Sequence, residues 1–449
     1  MSGAAAPALA PAGARATAAR LWFPATVAAT LAAFAALVGW NLAHTSWLDG
    51  YDAYHVVLYA ETVAKEHRLP DPDETDVWHN PPLYFALAGE AELLARRLGA
   101  DEDPYKAGQA VSALAAVAIV LLAFLVAREL FPSSRLAQLA ALGFAAATPV
   151  LVRGSVMYHP EPLTAALVGG ALYAAVRALA RGGLTVRSGL VVGALAGLAS
   201  LTRTWGLAVV AALALVAILD AARRRTAGPA VALVLSAAVL AAPWLAYKAH
   251  RYGSPLAFSR PVPSQWDEPG RPLAFYTELA PSAVFSEPYT LHFRNRLLPV
   301  TYADWWGDWH RSFRVPAAER SYAVPLSDER RRARVLQSVV GVLPSLLTLA
   351  GVVGLAVVAT RTRALPLVAL LSTLALLVAS YAFFLVRYPK LDGDNIKALY
   401  LLSAVVPVAV CAGWALAQVR RAGALVLAAV LLLLAGLAYV DVSFLVLPA

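Results

Sequence analysis

Cysteine is nearly absent from this sequence. The single Cys411 lies in an apolar run, so no disulfide framework is available. No C-x-x-C or H-E-x-x-H spacing occurs, which removes the commonest cysteine- and histidine-based redox and metal motifs. Charge is also scarce. Only 14% of the 449 residues are charged and 60% are hydrophobic, with a mean hydropathy of +0.63. A soluble core of this size needs far less apolar sequence. The short alternating segments of a β-barrel are missing. So are a clear internal repeat and a small-residue cleavage site after the first apolar run.

What is present are apolar blocks of about 17–25 residues, the length that crosses a hydrocarbon core about 30 Å thick. The sequence reads as an all-α polytopic membrane protein with eleven candidate spans: 21–43, 107–127, 136–152, 162–180, 187–201, 204–220, 229–249, 336–359, 364–386, 397–418 and 422–440. Residues 1–20 read as a disordered cytoplasmic tail, and 21–449 as one integral-membrane domain. With the N-terminus inside, every short inner loop is basic, from Arg128 and Arg135 to Arg420 and Arg421. These flanking arginines account for most of the net charge of +9, so nucleic acid is not the expected partner. One run, Arg330 to Arg334, falls on the outer side against the rule. The apolar stretch 187–220 is interrupted by Thr202-Arg203-Thr204 and reads as two short helices turning at Arg203, a cation that needs a reason to sit there.

Two long polar segments, 44–106 and 250–335, come out extracytoplasmic. In the first, Ala53, Val56, Val57, Ala60, Val63 and Ala64 form one helical stripe, with His55, Tyr59 and Thr62 off it. Asp52 is placed to cap that helix, and Pro70 lies beyond its end. A second helix opens at "NPPLYF" and runs to about Arg97. Two amphipathic helices in the first outer loop would lie along the membrane surface.

Polar clusters gather on this side. In "GYDAYH", Asp52 and His55 are three residues apart and share a helix face, a geometry suited to taking a proton from a hydroxyl. Asp49 is a second candidate, and simple capping and solvation the plainer alternative. "HNPPLYF" offers His79 and Asn80 as donors toward an anion at a helix start, with Tyr84 as a belt aromatic in the plainer reading. "TYADWWGDWH" interleaves Trp305 and Trp306 with Asp304 and Asp308. Aromatic faces stack on sugar rings and acids bind hydroxyls, while an aromatic belt at the interface is the alternative. Arg387 and Lys397 bracket a charged turn in which Asp392 and Asp394 compete for the ammonium. Lys397 at the opening of a span meets an anion or snorkels outward. "MYHPEPL", with His159 and Glu161 after Arg153, opens the fourth span in a similar way.

The order of these motifs resembles the GT-C superfamily of membrane glycosyltransferases, in particular the protein O-mannosyltransferase and aminoarabinose transferase type. The resemblance is carried by "GYDAYH", "LP" and "HNPPLYF", then short spans, then "WWGDW" and "DGDNIKALY". It covers most of 21–418 and is specific at 49–89. It implies a polyprenyl-phosphate-linked sugar donor, an extracytoplasmic active site and inversion at the anomeric carbon. Its first-loop acid corresponds to Asp52. Many members have an Asp-Glu pair there, whereas this chain has Asp52-Ala53. The large soluble C-terminal domain of some members is not expected in a chain ending near Ala449.

The resulting expectation is sugar transfer from a polyprenyl phosphate to an extracytoplasmic acceptor hydroxyl on glycan, lipid or protein. Asp52 is the general base, with His55 and Asp49 beside it. Lys397, Arg387, Arg203, His79 and Asn80 are expected at the donor phosphate. Tyr59, Tyr84, Trp305, Trp306, Asp304, Asp308, His159 and Glu161 are expected at sugar and acceptor. No metal or other cofactor is required, though a divalent cation at Asp49 and Asp52 stays open. The protein is expected in the plasma membrane. A transporter or flippase of a lipid-linked sugar is the alternative, and it would call for repeats and mid-membrane polar residues.

Overall fold

The computed structural model describes residues 12–257, 271–289, 296–311, 324–388 and 395–419. Among them every regular element is helical. Helix α1 spans Ala12–His44, α2 Ala53–Glu66, α3 Leu83–Arg97, α4 Tyr105–Leu130, α5 Arg135–Ala146, α6 Pro149–Gly154, α7 Glu161–Ala180, α8 Val186–Thr202, α9 Gly206–Arg224 and α10 Gly228–Tyr252. Then follow α11 Leu273–Thr277, α12 Pro281–Phe285, α13 Leu297–Trp306, α14 Asp328–Val340, α15 Val342–Thr362 and α16 Leu365–Arg387. A 3₁₀ turn, Ala398–Ala404, leads into α17, Val405–Ala417.

Eight stretches among the described residues are long and apolar enough to cross a membrane, and α5 and α8 are shorter apolar helices. Ten of the eleven expected spans are therefore represented by helices, and 422–440 lies outside the described residues. Three local corrections follow. Helix α1 begins at Ala12, inside the stretch expected to be a disordered tail; its alanines favour helix. The expected span 136–152 is cut at Thr148-Pro149, because Pro149 opens α6 and cannot continue α5. The expected span 336–359 is the rear of a 35-residue stretch, Asp328–Thr362. Its polar front turn carries the misplaced basic run.

The break at Arg203 is real. Thr185 and Ser188 form a capping box at the start of α8, and the chain is extended at Arg203 with φ −149° and ψ 142°. Two helices therefore replace one over-long span. Helix α8 packs closely on α10: a Cβ on Gly193 would lie 2.1 Å from the Leu233 carbonyl oxygen. Only glycine permits that backbone approach. The contact sets the register of α8 on α10.

The two helices of the first loop are present with the expected limits. They pack on each other through Tyr59 and Phe85, whose rings stack at 3.9 Å and 10°. The expected stripe is too narrow here, since Tyr59 and Thr62 are buried as well. A second helix covers the face that would have met solvent.

Candidate functional site

The loop between α1 and α2 sets the first part of the site. Gly50 has φ +125° and its Cα faces Met157, whose side chain leaves no room for a Cβ. Two residues later Asp52 sits at φ 54° and ψ 21°, the left-handed region. It occupies the N-cap position of α2 but its side chain makes no capping hydrogen bond, which corrects the capping expectation. A non-glycine residue in this region costs on the order of 1–3 kcal/mol and points to function when nothing local repays it.

The Asp52 carboxylate instead meets Lys397, Oδ2 to Nζ 3.7 Å, with side-chain exposures of 41% and 5%. One partner is open to solvent and the other is sealed. Both backbone neighbours of Lys397 are held. The Ile396 carbonyl lies 2.7 Å from His310 Nε2, and the Ala398 amide donates to Asp304 Oδ2 at 2.6 Å. The ammonium sits 4.7 Å from the centre of the Tyr51 ring, a cation–π contact. Tyr51 donates its hydroxyl to Asp304 Oδ1 at 3.1 Å. Burial, and then the nearby Asp304 and Asp308 carboxylates, push its phenol well above the usual range, so it remains a donor. Arg153 donates to the Asp304 carbonyl and lies 3.8 Å from its carboxylate. Asp304 thus holds three elements around one ammonium.

A second cluster lies around Arg203. Its Nε is 2.8 Å from Glu161 Oε1, and it donates to Asn80 Oδ1 at 2.5 Å. Glu161 also accepts from the Trp205 indole at 3.3 Å, and the guanidinium lies 5.3 Å from the Tyr400 ring centre. Tyr59 donates to the Asn80 carbonyl at 2.9 Å. Beside Asn80, the His79 carbonyl accepts from Lys248 of α10 at 3.3 Å. Burial, followed by the Arg203 and Lys248 charges, lowers the His79 imidazole well below its usual value.

His159 relates the two clusters. Burial, then Arg203, then Lys397 push its imidazole well below the usual range, which keeps the ring neutral. Its Nδ1 accepts the Glu161 amide at 3.4 Å. The proton therefore sits on Nε2.

Several expected site residues are found elsewhere. His55 faces Asp76, Nε2 to Oδ2 3.3 Å, not Asp52. Asp49 turns back to accept the Ser46 amide at 3.2 Å. Tyr59 and Tyr84 are fully buried, and Tyr84 bonds Ser112 at 3.1 Å. Trp306 is buried with its indole on Ser345 at 2.8 Å, while Trp305 is half-buried against the main core. Asp308 is buried and paired with Arg334 at 3.1 Å, which gives one arginine of the basic run a buried partner. Arg387 is exposed over Tyr388 at 5.5 Å. Asp392 and Asp394 lie outside the described residues. The only sequence signal of Lys248 is an ammonium inside the last turns of an expected span.

Among the described residues no group of three or more His, Cys, Asp or Glu is placed to hold a metal. Asp49 accepts the Ser46 amide and Asp52 lies beside the Lys397 ammonium.

Residues 98–247 match the model of a family described as dolichyl-phosphate-mannose-protein mannosyltransferase. No curated protein matches the chain. Among solved structures, the apo oligosaccharyltransferase of Archaeoglobus fulgidus is similar at 16% identity and a TM-score of 0.52, over 94% of this chain and 56% of that one. The same enzyme in complex with Zn and sulfate gives 16% identity and a TM-score of 0.50, over 94% and 53%. Apo ArnT from Cupriavidus metallidurans gives 17% and 0.49, over 90% and 61%. The chain spans less than two thirds of the length of each of these proteins. The fold is the one the sequence resembles, that of the GT-C membrane glycosyltransferases.

Proposed function

We propose that the protein is a membrane glycosyltransferase that moves a sugar from a polyprenyl-phosphate donor to an acceptor hydroxyl, with inversion. The observation that carries this reading is Asp52: backbone-strained, not capping, half-open, and set against an ammonium that the whole 3₁₀ entry is built to hold. The matched family model, whose description names a dolichyl-phosphate sugar, and the GT-C fold support the reaction class.

In the proposed reaction Asp52 accepts the acceptor's hydroxyl proton. The acceptor oxygen attacks the anomeric carbon from the face opposite the phosphate. The carbon–oxygen bond to phosphate breaks, and polyprenyl phosphate leaves with the electron pair. Arg203, held by Glu161, and Lys248 supply fixed positive charge for the leaving phosphate, and His79 and Asn80 frame it. Charge that grows in the transition state is where such cations help most. Lys397 belongs with Asp52 rather than with the phosphate. Arg387 has no part in this scheme.

Purified protein given radiolabelled polyprenyl-phosphate sugars and a cell-envelope extract should transfer label and release polyprenyl phosphate. Donor consumed only by movement across a bilayer, without a new glycoside, would overturn the reading. We further propose a plasma-membrane location with a cytoplasmic N-terminus and an extracytoplasmic site. Leu98, 77% exposed just after α3, should react as Leu98→Cys with an impermeant maleimide on intact cells. Reaction only after permeabilisation would reverse the orientation.

A further inference from the structure

Asp52 has a left-handed backbone and no capping hydrogen bond of its own, so its geometry is imposed from outside its own turn. The pair it forms with Lys397 joins two segments that are remote in sequence. Both segments are gripped by α13 and the residues just after it. Asp304 of α13 uses both carboxylate oxygens. Oδ1 accepts the Tyr51 hydroxyl at 3.1 Å, and Oδ2 accepts the Ala398 amide at 2.6 Å. Tyr51 directly precedes Asp52, and Ala398 directly follows Lys397. One carboxylate therefore bridges the same two segments that the Asp52–Lys397 pair joins. His310 repeats the arrangement. Its Nε2 donates to the Ile396 carbonyl at 2.7 Å, and its ring meets the Tyr51 ring edge-on with centres 5.5 Å apart.

The bridge is anchored in the helical frame. Tyr302 donates to the Ser338 carbonyl of α14 at 2.7 Å. Thr301 and Tyr381 of α16 share a hydroxyl hydrogen bond of 3.1 Å. Trp306 packs so closely on the turn between α14 and α15 that a Cβ on Gly341 would lie 2.4 Å from its ring. The charges are also matched. Arg153 of α6 donates to the Asp304 carbonyl and lies 3.8 Å from its carboxylate, and Asp308 has Arg334 at 3.1 Å. Each buried acid of this segment therefore has a cation of its own. A buried carboxylate with both oxygens bonded is a rigid joint, and Asp304 is fully buried. It can impose the order of the frame on a strained, half-open loop residue, and it is sealed away from any sugar.

We propose that Asp304 is a positioning residue: through Tyr51 and Ala398 it sets where the Asp52 carboxylate stands relative to Lys397, without touching substrate. Its effect on transfer rests on the proposed transferase reading, whereas the bridge itself does not.

Tyr51→Phe is the primary test, because it removes the bridging hydroxyl and keeps the ring that faces the ammonium. In the full chain in lipid nanodiscs, single-turnover transfer should fall about tenfold, the scale of one hydrogen bond to a charged group. Affinity for polyprenyl phosphate should stay within about twofold. Added to Asp52→Asn, the same substitution should change the residual rate by less than about twofold, because its effect runs through Asp52. Amide hydrogen exchange over residues 46–56 should rise about tenfold in Tyr51→Phe and in Asp304→Asn, and stay unchanged over 161–180. An equal fall in rate in the Asp52→Asn background would overturn the proposal, as would a loss of donor affinity that matches the loss of rate. So would transfer and exchange at the unsubstituted level in Tyr51→Phe, an outcome that leaves the transferase reading standing. If exchange responds as expected while the unsubstituted protein transfers no sugar, the bridge stands and the transferase reading falls.

Discussion

The two carboxylate–cation pairs, Arg203–Glu161 and Lys397–Asp52, are built differently. Arg203 and Glu161 are 2.8 Å apart with side-chain exposures of 10% and 0%. Asp52 and Lys397 are 3.7 Å apart, and Asp52 is 41% exposed. The first pair is closed, and its remaining contacts, to Asn80 and Trp205, lie within the protein. The second is open on the carboxylate side only. A closed pair orients a charge, whereas a carboxylate left half in solvent can meet a substrate. Both pairs lie at helix ends, yet only one leaves its acid half in solvent.

Breaking the closed pair should have the larger effect on stability. Removing one partner of a buried ion pair typically costs about 3–5 kcal/mol. Arg203→Met is expected to lower the thermal midpoint sharply, because it leaves the Glu161 carboxylate buried. The double variant Arg203→Met with Glu161→Gln should recover much of that loss. A single variant as stable as the unsubstituted protein would mean the pair is not closed.

The same substitution at two lysines sharpens the contrast. Lys248→Met removes a cation beside His79 and should weaken binding of polyprenyl phosphate by about tenfold, the scale of one charge-assisted hydrogen bond. Lys397→Met should leave that affinity nearly unchanged and lower turnover. Equilibrium binding and single-turnover rates on both variants separate the two effects. The opposite pattern would move the phosphate to Lys397.

The smallest effect concerns Glu92 of α3. Tyr158 donates to its carboxylate, and Tyr158 precedes His159. Burial raises the Glu92 carboxyl from 4.5 to about 7. In that window the folded state binds the proton more tightly than the unfolded chain, so stability is full below pH 4.5 and declines as pH rises to about 7. Differential scanning between these values should show Glu92→Gln lacking the decline, a difference of a few degrees. Parallel curves would place the carboxyl in water.

Much of this fold was legible in the sequence. Apolar length located the spans, and Thr202-Arg203-Thr204 marked the break, because a cation in the middle of an over-long apolar run demands a turn. The limits of α2 and α3 followed from periodicity and the prolines. Partnership was not legible. Asp52 and Lys397 are remote in sequence, so spacing alone pairs Asp52 with its neighbour His55, whereas His55 faces Asp76. Asp304 and Asp308 illustrate the same limit. Acids interleaved with tryptophans look alike whether they face a sugar or, as here, a buried tyrosine and a buried arginine. Tyr59 reads as outward-facing from α2 alone, and α3 covers that face. Lys248 was hidden by its position, since an ammonium near the end of a span needs no further explanation.

The most direct test is the single-turnover rate of Asp52→Asn with saturating radiolabelled polyprenyl-phosphate sugar. The amide keeps the shape of the carboxylate, and no capping hydrogen bond is at stake. The account predicts donor affinity within about twofold of normal and a transfer rate lower by about 10²–10⁴, the usual loss for a general base. Transfer at the unsubstituted rate would contradict it.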